Sequence, residues 1–182
     1  MFNFRTFSPD HEVRGLNVLN MASAIDSQSF LPLYEKYELA DIDADGWYPL
    51  QTLLDVLYEL SRMPNSIVDL VGIGMKAMET SVMPPGISRM SFSEVMALAP
   101  QVYQLNHRGT DVGEISVEQI SDYHYREITC VPLPDDVWYG AIYAYVRTFV
   151  PEGMGFRIYY EPEQLRRDNG GDVTIYHIEL KH

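Results

Sequence analysis

Apolar residues recur at three- and four-residue spacing through the first hundred positions of the chain, as in amphipathic helices. The pattern predicts about four helices, in segments 16–39 (one or two helices), 49–63, 65–83 and 91–100. Pro49 suits a first helical turn, because its ring pre-sets φ. Asn65 or Ser66 is the expected N-cap of the third segment. Ser91 and Glu94 have the spacing of a capping box, so we expect a helix start there.

Beyond Pro100 the pattern changes to the alternation of apolar and polar residues that is typical of strands. The alternating segments are 102–108, 114–120, 123–131, 155–162 and 172–180. Helices followed by a three-strand meander, one more helix and a hairpin predict an α+β fold with an antiparallel sheet. We expect a single domain, residues 1–182, with a helical layer over about 15–99 and the sheet plus one helix over about 101–181.

The helix inside this second half is unusually aromatic. It follows Pro132 and Pro134, which end the preceding strand because proline cannot donate to a sheet ladder. Asp135 or Asp136 is the expected N-cap. An apolar stripe then runs along the helix through Val137, Ala141, Tyr145 and Phe149. The stripe predicts a core helix lying across the sheet, and part of the same wall could line a ligand pocket.

Composition narrows the classes of function. The 182 residues are 46% hydrophobic and 12% aromatic, as in a globular protein, with no run long enough to span a membrane. The net charge of −13 and the scattered cations argue against nucleic acid as a partner. The first 15 residues lack a long apolar run behind a basic start, so we expect no secretory signal. A single cysteine, Cys130, favours a reducing, cytoplasmic location.

Catalytic and metal-binding signatures are missing from the sequence. Residues 41–46 begin like a calcium loop, but the twelfth loop position is Thr52 instead of glutamate, so an acidic turn is the better interpretation. The five histidines lack metal-ligand spacing, and no nucleophile motif is present. Cys130 lies between apolar strand residues, as inert thiols do. The sequence therefore predicts a protein that is not an enzyme and has no metal site.

Four segments of the chain carry a resemblance to a known fold, namely DGWYPLQTLLDVL, VYQLNHRG, PLPDDVWYGAIYAYVRTF and GGDVTIYHIEL. Together they resemble the fold shared by heme-nitric-oxide-binding (H-NOX) domains, four-vinyl-reductase-like domains and core subunits of the transport-protein-particle tethering complex. Within this group the chain resembles a bacterial heme-NO-binding-like or a four-vinyl-reductase-like sensory domain. The resemblance implies a helical layer on a small antiparallel sheet, a pocket between them and a homodimer formed through the helices.

The chain departs from these families at their cofactor sites. The Tyr-x-Ser-x-Arg signature of H-NOX domains is missing, and His107 falls on a predicted strand instead of a helix. Both departures argue against heme, and the missing cysteine cluster argues against structural zinc. The cofactor is left open on this basis.

Two hypotheses for function follow from the sequence and the resemblance. The first is a cytosolic sensory domain that binds a small hydrophobic ligand or tetrapyrrole and signals to a protein output partner. It calls for an apolar pocket of about 300 Å³ or more. The predicted lining residues, each also compatible with ordinary core, are Trp47, Tyr103, His107, Trp138, Ile142 and Tyr145.

The second hypothesis is a non-catalytic dimeric scaffold or protein-interaction module with a filled core. Nine methionines, several of them between residues 75 and 90, suit an adaptable apolar contact face. An enzyme of tetrapyrrole metabolism is a third interpretation, which rests on family analogy alone.

Overall fold

The computed structural model describes residues 4–23, 32–33, 35–62 and 69–181. Its main helices are α1 (Gly15–Ser23), α2 (Leu50–Arg62), α3 (Leu70–Glu79), α4 (Phe92–Ala97), α5 (Ala99–Asn106) and α6 (Asp135–Phe149). Its strands are β1 (Glu12–Arg14), β2 (Trp47–Pro49), β3 (His107–Arg108), β4 (Glu114–Ser121), β5 (His124–Cys130), β6 (Gly155–Tyr160) and β7 (Thr174–Lys181). All strand pairs are antiparallel, and the predicted α+β class is confirmed.

The larger sheet has the strand order β4-β5-β7-β6. Its second strand, β5, alternates between partly buried and fully buried residues, as expected when one sheet face packs on a core. The buried positions are Tyr125, Glu127 and Thr129, so an acidic residue occupies a core position between two others. A smaller sheet, ordered β2-β1-β3, joins three segments that are distant in the sequence.

Helices α3 and α6 cross at two glycines. A Cβ atom on Gly74 would lie 1.8 Å from the carbonyl oxygen of Val137, and one on Gly140 would lie 2.0 Å from that of Val71. Real Cβ atoms do not approach that closely, so each glycine allows the backbone of the other helix to come into direct contact. This crossing fixes α6 against the helical layer.

The prediction of a strand over residues 102–108 was wrong. The segment belongs mainly to α5, and only its last two residues form β3. Pro100 lies in the first turn of α5, where proline is well tolerated. Val102, Tyr103 and Asn106 are buried together, which a helix allows because residues three and four apart share one face. An apolar run this short is compatible with the period of a helix and with that of a strand, so tertiary packing determined its secondary structure.

The predicted helix caps had mixed outcomes. The capping box of Ser91 and Glu94 is confirmed. Asp69 caps α3, whereas the predicted caps Asn65 and Ser66 lie outside the described residues. Pro49 ends β2 instead of opening α2, because it pairs across the small sheet.

The predicted capping of α6 by an aspartate was also wrong. Neither aspartate caps the helix, which begins at Asp135 itself. The Asp135 carboxylate instead accepts hydrogen bonds from the Thr174 hydroxyl (2.6 Å) and the Asp168 backbone N–H (3.1 Å). The Asp168 carboxylate accepts one from the Asp135 backbone N–H in return. The two aspartates thereby join the start of α6 to the loop between β6 and β7.

Within the described residues, no helix is both long and apolar enough to cross a lipid bilayer.

Candidate ligand cavity

A cavity lies where the helices meet the inner face of the larger sheet. Its volume is about 60 Å³, and it is partly open to solvent. The walls are mostly apolar and come from β1, β3, β5 and helices α1, α2, α3, α5 and α6. The lining residues are Val13, Asn17, Leu50, Leu53, Gly74, Ala77, Met78, Ser81, Ala99, Val102, Tyr103, Asn106, His107, Glu127, Leu133, Val137, Trp138, Ala141, Ile142 and Tyr145. The volume is below the roughly 300 Å³ that the sequence hypothesis called for.

Five of the six residues predicted to line a pocket lie at this cavity, namely Tyr103, His107, Trp138, Ile142 and Tyr145. The sixth, Trp47, is on β2 in the small sheet and is not among the lining residues. The guanidinium groups of Arg14 and Arg108 lie 4.3 and 4.6 Å from the centre of the Trp47 ring system. Contact of these residues with a ligand stays a prediction.

Glu127 brings an acidic group to the cavity. Its side chain is on the inner face of β5 and the residue is only 2% exposed. Oε1 accepts a hydrogen bond of 2.7 Å from the indole N–H of Trp138 on α6. Burial raises the pKa of Glu127 to about 7, and the indole hydrogen bond opposes this increase. Near neutral pH the side chain is therefore close to its midpoint between carboxylic acid and carboxylate.

Two histidines meet beside the cavity. His11 Nε2 lies 3.0 Å from His107 Nδ1, and the Tyr103 ring stacks on the His107 ring at 4.2 Å between centroids. Burial lowers the pKa of His11 to about 4 and that of His107 well below its usual value. Both imidazoles are therefore neutral at pH 7, and a single proton can serve the hydrogen bond between them. The pair supplies no positive charge to the cavity.

Two asparagines line the cavity with different hydrogen bonding. Asn106 is fully engaged, because its carboxamide bonds to the Val82 N–H, the Val82 carbonyl and the Val102 carbonyl. Asn17, on α1, is 4% exposed, and its Oδ1 is buried without a hydrogen-bond partner in the described part of the chain. An unpaired buried oxygen of this kind costs about 1–3 kcal/mol, unless a bound group donates to it.

The hydroxyl groups of the lining tyrosines donate hydrogen bonds to backbone carbonyls. The Tyr145 hydroxyl donates to the Val95 carbonyl at 2.6 Å, and the Tyr103 hydroxyl donates to the Val112 carbonyl. Burial raises the pKa of both phenols, so both stay neutral. These rings therefore offer apolar and aromatic surface to the cavity.

Sequence reasoning missed Glu127 and Asn17. The alternation of β5 was a usable signal for Glu127, because it places that residue in phase with Tyr125 and Thr129. No local pattern marks Asn17, which lies in a helix that the sequence described only by its apolar positions.

No protein-family model and no curated protein matches this chain. Solved H-NOX structures do match its fold. An H-NOX protein from S. oneidensis in the Fe(II)NO state has a TM-score of 0.69 at 14% identity, covering 93% of this chain and 99% of that one. The chain has the H-NOX fold.

Two further H-NOX structures agree. The IWP-051-bound H-NOX from Shewanella woodyi has a TM-score of 0.60 at 19% identity, covering 91% of this chain and 93% of that one. An unliganded Fe(II) H-NOX variant from K. algicida has a TM-score of 0.64 at 14% identity, with coverage of 93% and 97%. The predicted resemblance is thus confirmed at the level of the fold.

H-NOX structures are described by their heme and by Fe(II) ligation states, so a heme is the cofactor that the fold implies. A heme needs an axial ligand and groups that bind its two propionates. Among the described lining residues, His107 is the one imidazole, and its Nδ1 is engaged with His11. The same set contains no lysine or arginine, and Glu127 is an acid. With a volume of about 60 Å³, this cavity does not fit a heme.

Proposed function

We propose that this chain is a non-catalytic sensory domain that binds a small molecule in the cavity between its helices and its sheet. The observation that carries the proposal is the presence of two polar groups, the Glu127 carboxylate and Asn17 Oδ1, in a mostly apolar cavity. Among the described residues, the Glu127 carboxylate has one hydrogen-bond donor and Asn17 Oδ1 has none. Convergent polar groups in an apolar pocket are typical of small-molecule sites, because they orient a ligand.

The size of the cavity restricts the ligand. A volume of about 60 Å³ admits only a few water-sized groups, since a single water needs about 10–15 Å³ of such space. The enclosed part of the ligand therefore has only a few heavy atoms, and any larger body extends through the open side. A tetrapyrrole is not part of the proposal.

The proposal includes a protein output partner, a cytoplasmic location and a homodimer. These elements rest on the sequence and on the family resemblance. The volume of the cavity does not favour the sensory domain, but its polar groups, Glu127 and Asn17, do support it over the alternative of a scaffold with a filled core.

The proposal is tested by filling the cavity. Ala99 lines it, whereas Ala97 is exposed and is not among the lining residues. Native mass spectrometry and an absorption spectrum of protein purified from cells supplied with heme would identify any ligand that is retained. A panel of small amines, alcohols and acids would then be titrated by NMR. We expect Ala99→Leu to weaken binding at least about tenfold and Ala97→Leu to leave it unchanged.

Two results would contradict this function. One is a wild-type protein in which no member of the panel perturbs the resonances of cavity residues. The other is binding that Ala99→Leu and Ala97→Leu affect equally, since the ligand would then lie elsewhere. A Soret band would show that the cavity opens far enough to admit heme, and would overturn the restriction on size.

A further inference from the structure

The charge of the cavity has one sign. Of its described lining residues, Glu127 is the one carboxylate, and none is a lysine or arginine. The neighbouring His11–His107 pair is neutral at pH 7, as burial keeps the pKa of each imidazole low. The site therefore holds a negative charge, when Glu127 is ionised, without a cation among the described lining residues to balance it. Buried charges in proteins are normally paired, which points to a cation from outside the chain.

The hydrogen-bonding capacity of the cavity is also unbalanced. Within residues 4–23, 32–33, 35–62 and 69–181, the Glu127 carboxylate receives one hydrogen bond, from the indole of Trp138, although a carboxylate can accept several. Asn17 Oδ1 is a second acceptor, and it is buried without a donor. By contrast, the hydroxyls of Tyr103 and Tyr145 already donate to backbone carbonyls. A ligand that complements these groups must bring N–H or O–H donors.

Aromatic rings surround the same space. Trp138 and Tyr103 both line it and meet edge to face, with ring centroids 5.4 Å apart, and Tyr145 lines it as well. Such rings attract cations through the negative charge of their faces, and tryptophan does so most strongly. A carboxylate set among aromatic rings suits an ammonium group better than a neutral or anionic one.

The charge of the whole chain acts in the same direction. A net charge of −13 raises the local concentration of small cations and repels anions.

We propose that the ligand is a small organic amine in its cationic form, whose ammonium group binds between the Glu127 carboxylate and Asn17 Oδ1 and against the ring of Trp138. This inference rests on the proposed function and specifies its ligand class. The ammonium group and its first carbons occupy the enclosed volume, and the remaining chain extends through the open side.

The two tryptophans provide a selective readout. Trp138 donates its indole N–H to Glu127 in the cavity, whereas Trp47 lies in the small sheet between two arginines. The protein labelled with ¹⁵N would be titrated above about pH 8, where Glu127 is ionised, with n-butylammonium, n-butanol and butyrate. We expect n-butylammonium to shift the indole resonance of Trp138 and leave that of Trp47 in place. Its Kd should be at least about tenfold below that of n-butanol.

Glu127→Gln removes the charge and keeps an oxygen that can accept from the Trp138 indole. This variant should weaken n-butylammonium binding at least about tenfold and n-butanol binding by a much smaller factor, and the retained n-butanol binding would also show that the cavity remains intact. Glu118→Gln is the matched control, because Glu118 is an exposed glutamate on the neighbouring strand β4. It should leave both affinities as in the wild type.

The outcomes separate the two proposals. If n-butanol or butyrate binds the wild-type cavity as tightly as n-butylammonium does, the ligand class is wrong and the sensory function stands. If Glu127→Gln retains the preference for the amine, the role of the carboxylate is wrong. If none of the three probes moves the Trp138 resonance, the amine proposal is overturned together with small-molecule binding at this cavity.

Discussion

At the scale of single residues, Glu127 is the most consequential side chain. Its position on the inner face of β5 is dictated by strand alternation, which leaves the charged form poorly solvated. A purely structural residue at this position would normally be apolar. The ionised Glu127 side chain therefore lowers the stability of the folded protein at high pH. Perturbed pKa values of this kind are common at functional sites.

The first prediction concerns the pH dependence of stability. The pKa of Glu127 rises from an ordinary value of 4.5 to about 7 in the folded protein, so folding favours the protonated acid. This contribution is fully present below about pH 4.5 and is lost as the pH rises through about 7. Glu127→Gln cannot titrate. Its free energy of unfolding, relative to wild type, should rise by about 3 kcal/mol between about pH 4.5 and about pH 8.5.

Urea denaturation of both proteins at several pH values measures this difference. Other titrating groups cancel in the subtraction when the substitution leaves their surroundings unchanged. A difference that stays constant over this range would show that Glu127 ionises with an ordinary pKa.

The second prediction concerns the link between the two aspartates and β7. Thr174 is fully buried, donates to Asp135 and accepts from the backbone N–H of Arg167. Thr174→Val keeps the shape and removes both hydrogen bonds, so the free energy of unfolding should fall by about 2 kcal/mol. Thr148→Val, at an exposed position of α6, should change it by less than about 0.5 kcal/mol. Equal effects in thermal or urea unfolding would show that the Thr174 hydroxyl is not needed.

At the scale of elements, the crossing of α3 and α6 positions the cavity wall that carries Trp138. Alanine is normally about 1 kcal/mol better than glycine in a helix interior. The contact of Gly140 with Val71 reverses this preference, because a Cβ would lie 2.0 Å from a backbone oxygen that cannot rotate away.

The third prediction follows from that contact. Gly140→Ala should lower the free energy of unfolding by about 3 kcal/mol, as overpacking forces the helices apart. Gly155→Ala is the control, since the nearest atom to its Cβ would be 3.9 Å away. Urea unfolding compares the two variants. A stabilised Gly140→Ala protein would mean that the helices are farther apart than this structure places them.

Sequence patterns are sufficient to predict the secondary structure of the long elements. The long segment of α2 buries six residues in one helical phase, and β5 alternates throughout, so each period was unambiguous. The eight residues of α5 carry too few apolar positions to distinguish the two periods. Its conformation depends on contacts with distant segments, such as the hydrogen bonds between Asn106 and Val82.

At the scale of the whole molecule, the excess of negative charge should influence which ligands reach the cavity. A net charge of −13 attracts cations from a distance, and dissolved salt screens this attraction. The resemblance of the fold to H-NOX proteins, in contrast, does not carry a heme site into this chain, because the cavity is too small and its described lining residues include no cation for the heme propionates.

The fourth prediction concerns ionic strength. Raising NaCl from about 20 mM to about 300 mM should increase the Kd of n-butylammonium by about threefold and leave that of n-butanol unchanged. The contact with Glu127 is buried and is screened less than the long-range attraction. NMR titrations at both salt concentrations measure the change. An increase of equal size in the Kd of n-butanol would show that the salt does not act through the charge of the ligand.

The sequence by itself determined the α+β class, the helices α2 and α3, the strands of the larger sheet and the aromatic wall of α6, while most of the predicted helical segment 16–39 beyond Ser23 lies outside the described residues. These features follow from periodicity along the chain, which is local information. Three of the predicted lining residues, Trp138, Ile142 and Tyr145, share the cavity because they lie on one face of α6. The other two, Tyr103 on α5 and His107 on β3, stack on each other beside it.

Only the tertiary structure decided that Glu127 and Asn17 line the same cavity and that Trp47 does not. Whether a carboxylate has a counter-charge depends on side chains that arrive from distant segments, and no local pattern encodes their absence. For the same reason, the length and phase of α5 were settled by packing, since contacts made across the core outweigh the weak preference of a short segment.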